Sequence, residues 1–232
     1  MNASDKNGFV QYHFKDAIGA FFELPTDNAR ALLPGDLQPI EPHHGSAVLS
    51  VMAFDFTDSM VGAYGELILS ILVSPLIQAG QPMPRTAFYP FKLGTTTTES
   101  REHAIERWRL PHYMRNINLD WHRGDGHMTI RATDRGAPMV EMIVTEHEWS
   151  PVEHRYQSFM HDDDGFYTST IIMQGQFSEN EEERGGITIH SRGMTELLDQ
   201  WDVTTTPFRE MWMKNGVQTF QPLQQLAAYA KR

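Results

Sequence analysis

The pattern of apolar and polar positions is dominated by short segments rich in β-branched, aromatic and large aliphatic side chains. Residues 46–56 and 66–73 both have this composition. They are separated by residues 57–65, which contain two glycines. Segments of this kind, bounded by turn residues, are typical of paired β-strands.

The second half of the chain repeats this pattern at short intervals. Residues 116–122 and 128–133 flank a Gly-Asp-Gly turn, and the turn at 134–136 leads into residues 139–145, which predicts antiparallel hairpins. Closely spaced strands favour a mainly β fold, in which a large antiparallel sheet closes into a barrel, over a parallel βαβ layout. Three further strands are predicted at residues 153–159, 166–177 and 186–191.

Start and stop residues predict four short helices beside the strands. In the second helix, Ala104, Ile105 and Trp108 share one apolar face. In the third, Thr206 is the start signal and Gly216 the stop. The predicted helices cover residues 28–33, 99–110, 207–215 and 223–231.

Other segments are predicted to be connections. Residues 75–90 contain four prolines, so we expect a long connection that lies over a pocket. Residues 161–165 carry three aspartates, which would suit calcium, but no helix-loop-helix frame surrounds them. We therefore interpret this segment as a hairpin loop.

The composition narrows the class of protein. The 232 residues are enough for one domain, 1–232, with one buried core. A net charge of -11 argues against nucleic-acid binding, which needs a clustered positive face. The absence of cysteine fits a reducing cytoplasm. The most apolar run, residues 67–77, is about half the roughly 20 residues that a membrane-spanning helix needs.

We accordingly predict a cytoplasmic protein that does not associate with a membrane. Residues 1–8 lack the basic and then apolar order of a signal peptide and are predicted to be mobile. The eleven histidines show no ligand spacing backed by carboxylates. No metal and no cofactor are therefore predicted.

Three segments together resemble the acetoacetate decarboxylase superfamily. The first is residues 29–40, with Ala-Arg-Ala-Leu-Leu-Pro followed by Leu-Gln-Pro-Ile. The second is residues 61–66, Val-Gly-Ala-Tyr-Gly-Glu, at the start of an apolar strand. The third combines Ser-Arg-Glu at 100–102 with Leu-Pro-His-Tyr-Met at 110–114. It is similar to the Gly-Arg-Glu and Pro-Lys-Lys-Leu stretch that carries the family's reactive lysine.

The resemblance implies a fold, an assembly and a substrate class. The fold is a cone-shaped antiparallel β-barrel with a few flanking helices, and its interior holds the active site. The subunits of the family usually associate, which implies a homo-oligomer here. The implied ligand is a small-molecule substrate of the oxo-acid type.

The resemblance also implies a departure from the family's chemistry. Carried over by position, the reactive lysine falls on His112 and the neighbouring cation on Tyr113. The family's lysine attacks a ketone as a neutral amine and forms an imine that accepts electrons. An imidazole cannot form that imine. Ordinary acetoacetate decarboxylation is therefore not expected of this chain.

Two residues are the candidate catalytic groups. Glu66 matches the family's catalytic glutamate, so one interpretation is a general acid or base whose pKa is raised inside the barrel. The alternative is a strand-edge carboxylate that faces water. His112 is either an acid or base near its ordinary pKa of about 6.5 or a structural histidine.

Four residues are the candidate substrate-binding groups. Lys15 falls about where the family has an active-site arginine, and Arg115 is a second candidate for holding a substrate carboxylate. Tyr64 and Tyr113 lie in the matched segments. Lys15 also remains, with Lys92, a candidate for a relocated imine.

Three hypotheses follow from these residues. The first is an enzyme that acts on a small oxo-acid or related carbonyl compound by non-covalent proton transfer, as a lyase or hydrolase. The second is a small-molecule-binding or accessory protein that retains the barrel without catalysis. The third and least favoured is a true acetoacetate decarboxylase with a relocated lysine.

Overall fold

A computed structural model describes residues 8–35, 37–77, 79–196 and 198–226. Two α-helices and two short 3₁₀ turns, Gly193–Thr195 and Leu198–Gln200, accompany the strands in this part of the chain. In chain order the elements are β1 (Val10–Pro25), α1 (Thr26–Leu32), β2 (Ser46–Asp58), β3 (Tyr64–Val73), β4 (Thr86–Thr95), α2 (Thr98–Trp108), β5 (Asn118–Arg123), β6 (His127–Asp134), β7 (Ala137–Thr145), β8 (Ser150–Asp162), β9 (Gly165–Asn180), β10 (Gly186–Ile189), β11 (Arg209–Phe220) and β12 (Gln224–Gln225).

Seven long strands form a closed barrel in the order β11-β1-β2-β3-β4-β8-β9, and the pairing of β9 with β11 closes the ring. Neighbouring strands are antiparallel except at one seam, where Thr86–Phe88 of β4 run parallel to Tyr156–Ser158 of β8. Closure leaves no unpaired edge in the ring. The predicted barrel with flanking helices is confirmed.

The predicted hairpins between residues 116 and 145 are present as β5, β6 and β7. They form a separate four-stranded antiparallel sheet in the order β10-β7-β6-β5, which the sequence did not distinguish from the barrel. Ile130, Met142 and Val144 of this sheet are fully buried in one apolar cluster with residues from the barrel strands. The second sheet therefore covers part of the barrel's outer face.

The barrel strands are buried on both faces. Along β1, Ile18, Ala20 and Phe22 belong to the apolar cluster outside the barrel, whereas Tyr12 and Phe14 belong to the interior cluster. A register shift between Phe14 and Asp16 changes which residues face inward. Because both faces are apolar, β1 lacks the simple alternation of a half-exposed strand, and it was not predicted.

The helix predicted at residues 207–215 is wrong, because residues 209–215 belong to strand β11. The ladders from β11 to β1 and to β9 close the barrel, and that pairing prevails over the local start signal at Thr206. Of the helix predicted at residues 223–231, Gln224–Gln225 instead form strand β12, and residues 227–231 lie outside the described residues. Gly216 lies within β11 and ends no helix.

The proline-rich segment is also corrected in part. Residues 86–90 belong to strand β4, and Pro90 lies where the β3–β4 register shifts, a position that does not require a backbone N–H. The residues before this strand line a hollow over β8 and β9 rather than the barrel interior. Of the residues predicted to be mobile, 1–7 lie outside the described part of the chain.

The two predicted N-terminal helices are confirmed with small changes at their ends, as α1 and α2. Thr97 caps α2, since its side chain accepts a hydrogen bond from the Ser100 backbone N–H at 3.2 Å. Among the described residues, no helix has both the length and the apolar character to cross a membrane.

We predict that Gly216→Ala destabilises the protein by about 1–3 kcal/mol, the usual cost of overpacking. A Cβ at Gly216 would lie 2.3 Å from the Phe14 ring and 2.5 Å from the Gln174 carbonyl oxygen, at the seam that closes the barrel. Urea denaturation measures the change. In the control, Gly8→Ala, the added Cβ meets nothing within 4 Å. Equal urea midpoints for the two variants would contradict the close packing described where β1, β9 and β11 meet.

Candidate active site

The barrel encloses a cavity, here called the barrel cavity, with about 620 Å³ of space not filled by atoms. Most of its wall is aliphatic or aromatic. It is lined by Met52, Phe54, Glu66, Ile68, Ser70, Phe88, Pro90, Leu93, Leu110, Tyr156, Ser158, Ile171, Met173, Met211, Gln218 and Phe220.

A second hollow, the helix-side cavity, has about 280 Å³ of empty space and lies between the barrel and α2. Glu66, Leu110, Gln218 and Phe220 line both cavities. The Glu66 side chain therefore lies where the two hollows adjoin. The remaining lining residues of the helix-side cavity are Tyr12, Phe56, Tyr64, His103, Ala104 and Trp108.

The alternation of β3 places Glu66 in the interior. Leu67, Leu69 and Ile71 are fully buried in the cluster outside the barrel. Successive side chains of a strand point to opposite faces, so Glu66 and Ile68 face inward. The carboxyl group is thus carried on a strand paired on both sides, to β2 and to β4.

The Glu66 carboxyl group is buried and has no hydrogen-bond partner among the described residues. Its residue is 8% exposed. Burial raises the pKa of Glu66 from 4.5 to about 8, because the ionised form loses its hydration and gains no compensating charge. At neutral pH the group is therefore an uncharged carboxylic acid that can donate a hydrogen bond or a proton.

Glu210 shows how the same fold treats a structural glutamate. It is fully buried, and its two oxygens accept four hydrogen bonds: from Thr145 N–H at 2.7 Å, Thr145 Oγ1 at 3.0 Å, Arg184 N–H at 3.0 Å and Gly185 N–H at 2.7 Å. Buried polar groups are normally satisfied in this way. The absence of such donors around Glu66 distinguishes a carboxyl group that faces a cavity from one that holds the fold together.

A hydrogen-bonded group of aromatic residues borders the helix-side cavity. The Trp108 indole N–H donates to the Tyr12 hydroxyl oxygen at 2.6 Å, and the same oxygen lies 2.6 Å from His103 Nε2. Burial, with help from the Arg107 charge, lowers the pKa of His103 to about 4, so the ring is neutral at pH 7. This network fixes α2 against β1.

Tyr64 lies beside Glu66 in the helix-side cavity. Its ring packs on Phe56 at a centroid distance of 4.9 Å, and no described residue hydrogen-bonds its hydroxyl group. Burial raises the pKa of Tyr64, and the nearby charges of an ionised Glu66 and Tyr12 raise it further. Tyr64 therefore stays protonated and can donate into the cavity.

His112 does not line either cavity. Its Nδ1 lies 2.5 Å from the Tyr113 carbonyl oxygen and its Nε2 3.2 Å from Thr95 Oγ1. Burial lowers the pKa of His112 to about 4, an effect partly opposed by the Tyr113 hydrogen bond. The expectation of an imidazole that titrates near neutral pH is therefore corrected, because the buried ring is neutral at pH 7.

Tyr113 and Arg115 form a separate cluster with a buried aspartate. The Tyr113 hydroxyl donates to Asp134 Oδ2 at 2.9 Å, and Arg115 Nη2 lies 2.7 Å from the same oxygen. Neither residue lines the cavities that contain Glu66. The structure thus brings Glu66 and Tyr64 together and places His112, Tyr113 and Arg115 elsewhere.

Lys15 is exposed at the irregular point of β1, where the register shifts, and it lines neither cavity. Lys92 is partly buried on β4 and also lies outside both cavity walls. Lys214, the remaining lysine within the described residues, lies 3.5 Å from the centre of the Trp149 ring. None of these amines is placed beside Glu66.

Three residues at the site were not predicted as site residues. Trp108 was recognised only as part of the apolar face of α2. Tyr12 lies on the unpredicted strand β1, and Gln218 lies just beyond the wrongly predicted helix. The signal in the sequence was the i, i+4 pair of Ala104 and Trp108, which both line the helix-side cavity.

The predicted hairpin loop at residues 161–165 is confirmed as the turn between β8 and β9. Asp162 and Asp164 both pair with Arg109, which ends α2 in a left-handed conformation. These carboxylates thus anchor the end of α2. No group of three or more histidine, aspartate or glutamate side chains within the described residues is arranged to hold a metal ion.

Comparison of the fold with solved structures gives consistent matches. Acetoacetate decarboxylase from Legionella pneumophila superposes with a TM-score of 0.69 at 11% identity, over 95% of this chain and 88% of that one. The enduracididine biosynthesis enzyme MppR, with HEPES buffer bound, gives a TM-score of 0.68 at 13% identity, over 95% and 89%. An acetoacetate decarboxylase-like enzyme from Sphingomonas wittichii RW1 gives 0.61 at 13%, over 95% and 93%.

No protein-family model matches the sequence, and no curated protein matches it either. The identities to the solved structures are low, so these matches establish the fold and not the activity. The expectation of an acetoacetate decarboxylase-like fold, drawn from the three sequence segments, is confirmed.

We predict that Glu66→Gln stabilises the protein increasingly as the pH rises from 4.5 to 8. The unfolded chain loses the Glu66 proton near pH 4.5 whereas the folded chain keeps it to about pH 8, so folding of the wild type weakens across that window. At about 1.4 kcal/mol per pH unit, the variant gains roughly 3–5 kcal/mol at pH 8 and little at pH 4.

Urea denaturation at pH 4, 6 and 8 measures the difference. Glu210→Gln is the matched control: an amide cannot replace both acceptor oxygens, so this variant loses stability at pH 8. A Glu66→Gln effect that is the same at all three pH values would contradict the environment described for Glu66.

Proposed function

We propose that this acetoacetate decarboxylase-like barrel is an enzyme that acts on a small carbonyl compound by proton transfer at Glu66, without a lysine imine. The observation that carries the proposal is a buried carboxyl group, unpartnered among the described residues, at the junction of two cavities. Strongly perturbed titratable groups in cavities are typical of catalytic sites. Burying this carboxyl group costs stability, and hydrogen bonds do not offset that cost as they do at Glu210.

The proposed step is an acid-assisted enolisation. Glu66 transfers its proton to the carbonyl oxygen while a proton on the adjacent carbon leaves to water, which gives an enol and the Glu66 carboxylate. Reversal returns a proton from solvent to the carbon and restores the carboxyl group. A carboxylic acid that remains protonated at neutral pH suits this role. The amide of Gln218 and the hydroxyl of Tyr64 are the neighbouring donors that would hold the oxygen.

The position of the lysines supports chemistry without an imine. An imine needs an uncharged amine next to the ketone. Lys15, Lys92 and Lys214 all lie outside the two cavities. A relocated imine on Lys15 or Lys92 is therefore the least favoured reading.

The fold neighbours offer further support for an enzyme. Two of them are described as acetoacetate decarboxylase and one as a biosynthesis enzyme, MppR, for which a complex with pyruvate is also known. These compounds and activities belong to those proteins. For this chain they favour a carbonyl substrate in the same barrel.

One observation favours a second candidate, a small-molecule-binding protein without catalysis. The other titratable groups of the helix-side cavity have fixed partners or stay neutral: the Tyr12 hydroxyl is engaged by Trp108 and His103. Glu66 thus has no charged helper among the described residues of the cavity walls. A binding role would need only the hydrogen bond from its carboxyl group.

We predict that the wild-type protein catalyses exchange of the hydrogens next to the carbonyl of 2-heptanone in D₂O, and that Glu66→Gln reduces this exchange at least about 100-fold, within the usual range for loss of an acid–base group. Proton NMR follows the exchange. After subtraction of the protein-free rate, the catalysed rate falls as the pH rises through about 8, where Glu66 loses its proton.

Glu153→Gln is the control, because Glu153 is a half-exposed glutamate on β8 and lines neither cavity. Exchange that survives in Glu66→Gln would remove Glu66 from the chemistry. If neither protein exchanges the label although the ketone binds, the binding-protein candidate replaces the enzyme.

A borohydride experiment tests the absence of an imine. We predict no covalent mass increase on intact-protein mass spectrometry after incubation with 2-heptanone or acetoacetate and sodium borohydride. A lysine adduct mapped to Lys15 or Lys92 would contradict the proposed mechanism.

A further inference from the structure

Among the described residues, the wall of the barrel cavity carries no basic side chain. Of its lining residues, only Glu66, Ser70, Tyr156, Ser158 and Gln218 have polar side chains, and no lysine, arginine or histidine is among them. The helix-side cavity adds one histidine, and its ring is already hydrogen-bonded to Tyr12. The described residues of the two walls thus offer no positive charge to a ligand.

Two arginines close to the cavities, Arg85 and Arg109, are paired with carboxylates outside them. Arg85, whose charge reaches the cavity residue Tyr156, forms an ion pair with Glu179 and a hydrogen bond to His154. Arg109, which ends α2, pairs with Asp162 and Asp164. Turning either guanidinium into the cavity would break these pairs and leave carboxylates unpaired.

The energetics of charge burial then discriminate between ligands. An ionised carboxylate that leaves water for an apolar cavity without a counter-ion loses several kcal/mol of hydration free energy. Glu66 is uncharged at neutral pH and therefore offers no counter-charge to such a ligand. An uncharged carbonyl group loses far less hydration on entry.

The two polar groups that line both cavities match a single hydrogen-bond acceptor. The carboxyl of Glu66 and the side-chain amide of Gln218 have no hydrogen-bond partner among the described residues, and both line both cavities. Met173, Ile171 and Met211, which belong to the same cavity wall, are apolar. A ligand with one carbonyl oxygen at Glu66 and a hydrocarbon body along this wall would satisfy both regions.

We infer that the ligand of the barrel cavity is an uncharged, mainly apolar carbonyl compound, such as a medium-chain ketone, ester or amide, and not an oxo-acid anion. The inference rests on the proposed function, because it assigns the ligand class of the same Glu66 site. It replaces the oxo-acid that the sequence resemblance implied.

The test uses three probes with the same pentyl chain and nearly the same shape: 2-heptanone, hexanamide and hexanoate. At pH 7 only hexanoate is charged. Isothermal titration calorimetry with the full-length protein is expected to show that both uncharged probes bind at least about tenfold more tightly than hexanoate, a factor that corresponds to about 1.4 kcal/mol. Hexanoate binding equal to or tighter than hexanamide binding overturns the inference, and so does failure of both uncharged probes to bind at millimolar concentration.

A variant of the cavity wall provides the reverse experiment. Met173→Lys places an amine in the barrel cavity, and Met173→Gln is its uncharged control of similar length. The lysine variant is expected to gain hexanoate affinity at least about tenfold relative to the glutamine variant. Hexanoate affinity that does not differ between two folded variants contradicts the inference; if the lysine variant does not fold, the three probes on the wild type still decide.

The two proposals can fail separately. If the protein prefers the uncharged probes but catalyses no hydrogen exchange, the inferred ligand class is supported and the proposed enzyme activity is contradicted. If hydrogen exchange depends on Glu66 but is faster with 3-oxo acids than with ketones, the proposed enzyme activity is supported and the uncharged ligand class is contradicted.

Discussion

The Glu66 carboxyl group is buried without a counter-charge. The chemistry proposed for this barrel depends on that placement. The strand that carries it is paired on both sides and cannot turn the side chain outward without moving its apolar neighbours Leu67 and Leu69. The group therefore remains in the interior and responds by holding its proton. From that one response follows its capacity to donate a hydrogen bond or a proton.

The contrast between two buried glutamates gives this constraint its functional meaning. Glu210 is surrounded by donors and secures the loop before β10 to strand β11. Glu66 is surrounded by the rings of Phe54, Tyr64 and Phe220 and by open space. Sites of catalysis or binding are where a fold tolerates an unsatisfied polar group.

Much of the architecture could be predicted because the hairpins of the second sheet and strands β2 and β3 have clear local signals. The barrel's closing strands could not. Strand β1 is apolar on both faces, and β11 begins with residues typical of a helix start, so only the pairing between distant strands determines their conformation. Glu66 and Tyr64 were candidates because they match a family segment, and both line the helix-side cavity. Gln218 and Tyr12 could not be predicted, since they reach the cavity only after closure.

The motif that pointed to His112 shows the limit of matching by position. The end of α2 turns sharply at Arg109, so Trp108 and Leu110 face the cavities whereas His112 pairs alongside Leu93 of β4. Residue spacing alone does not reveal such a backbone turn. The three described lysines, Lys15, Lys92 and Lys214, lie outside both cavities.

Measuring the pKa of Glu66 tests the uncharged environment of this carboxyl group most directly. Carbon-13 NMR of protein labelled at the glutamate carboxyl carbons, with the Glu66 signal assigned by its absence from Glu66→Gln, follows the ionisation of this one group. We expect a titration midpoint near pH 8. A midpoint near the ordinary glutamate value of about 4.3 would show that the carboxyl group is hydrated or paired, and would contradict the uncharged cavity on which the proposals rest.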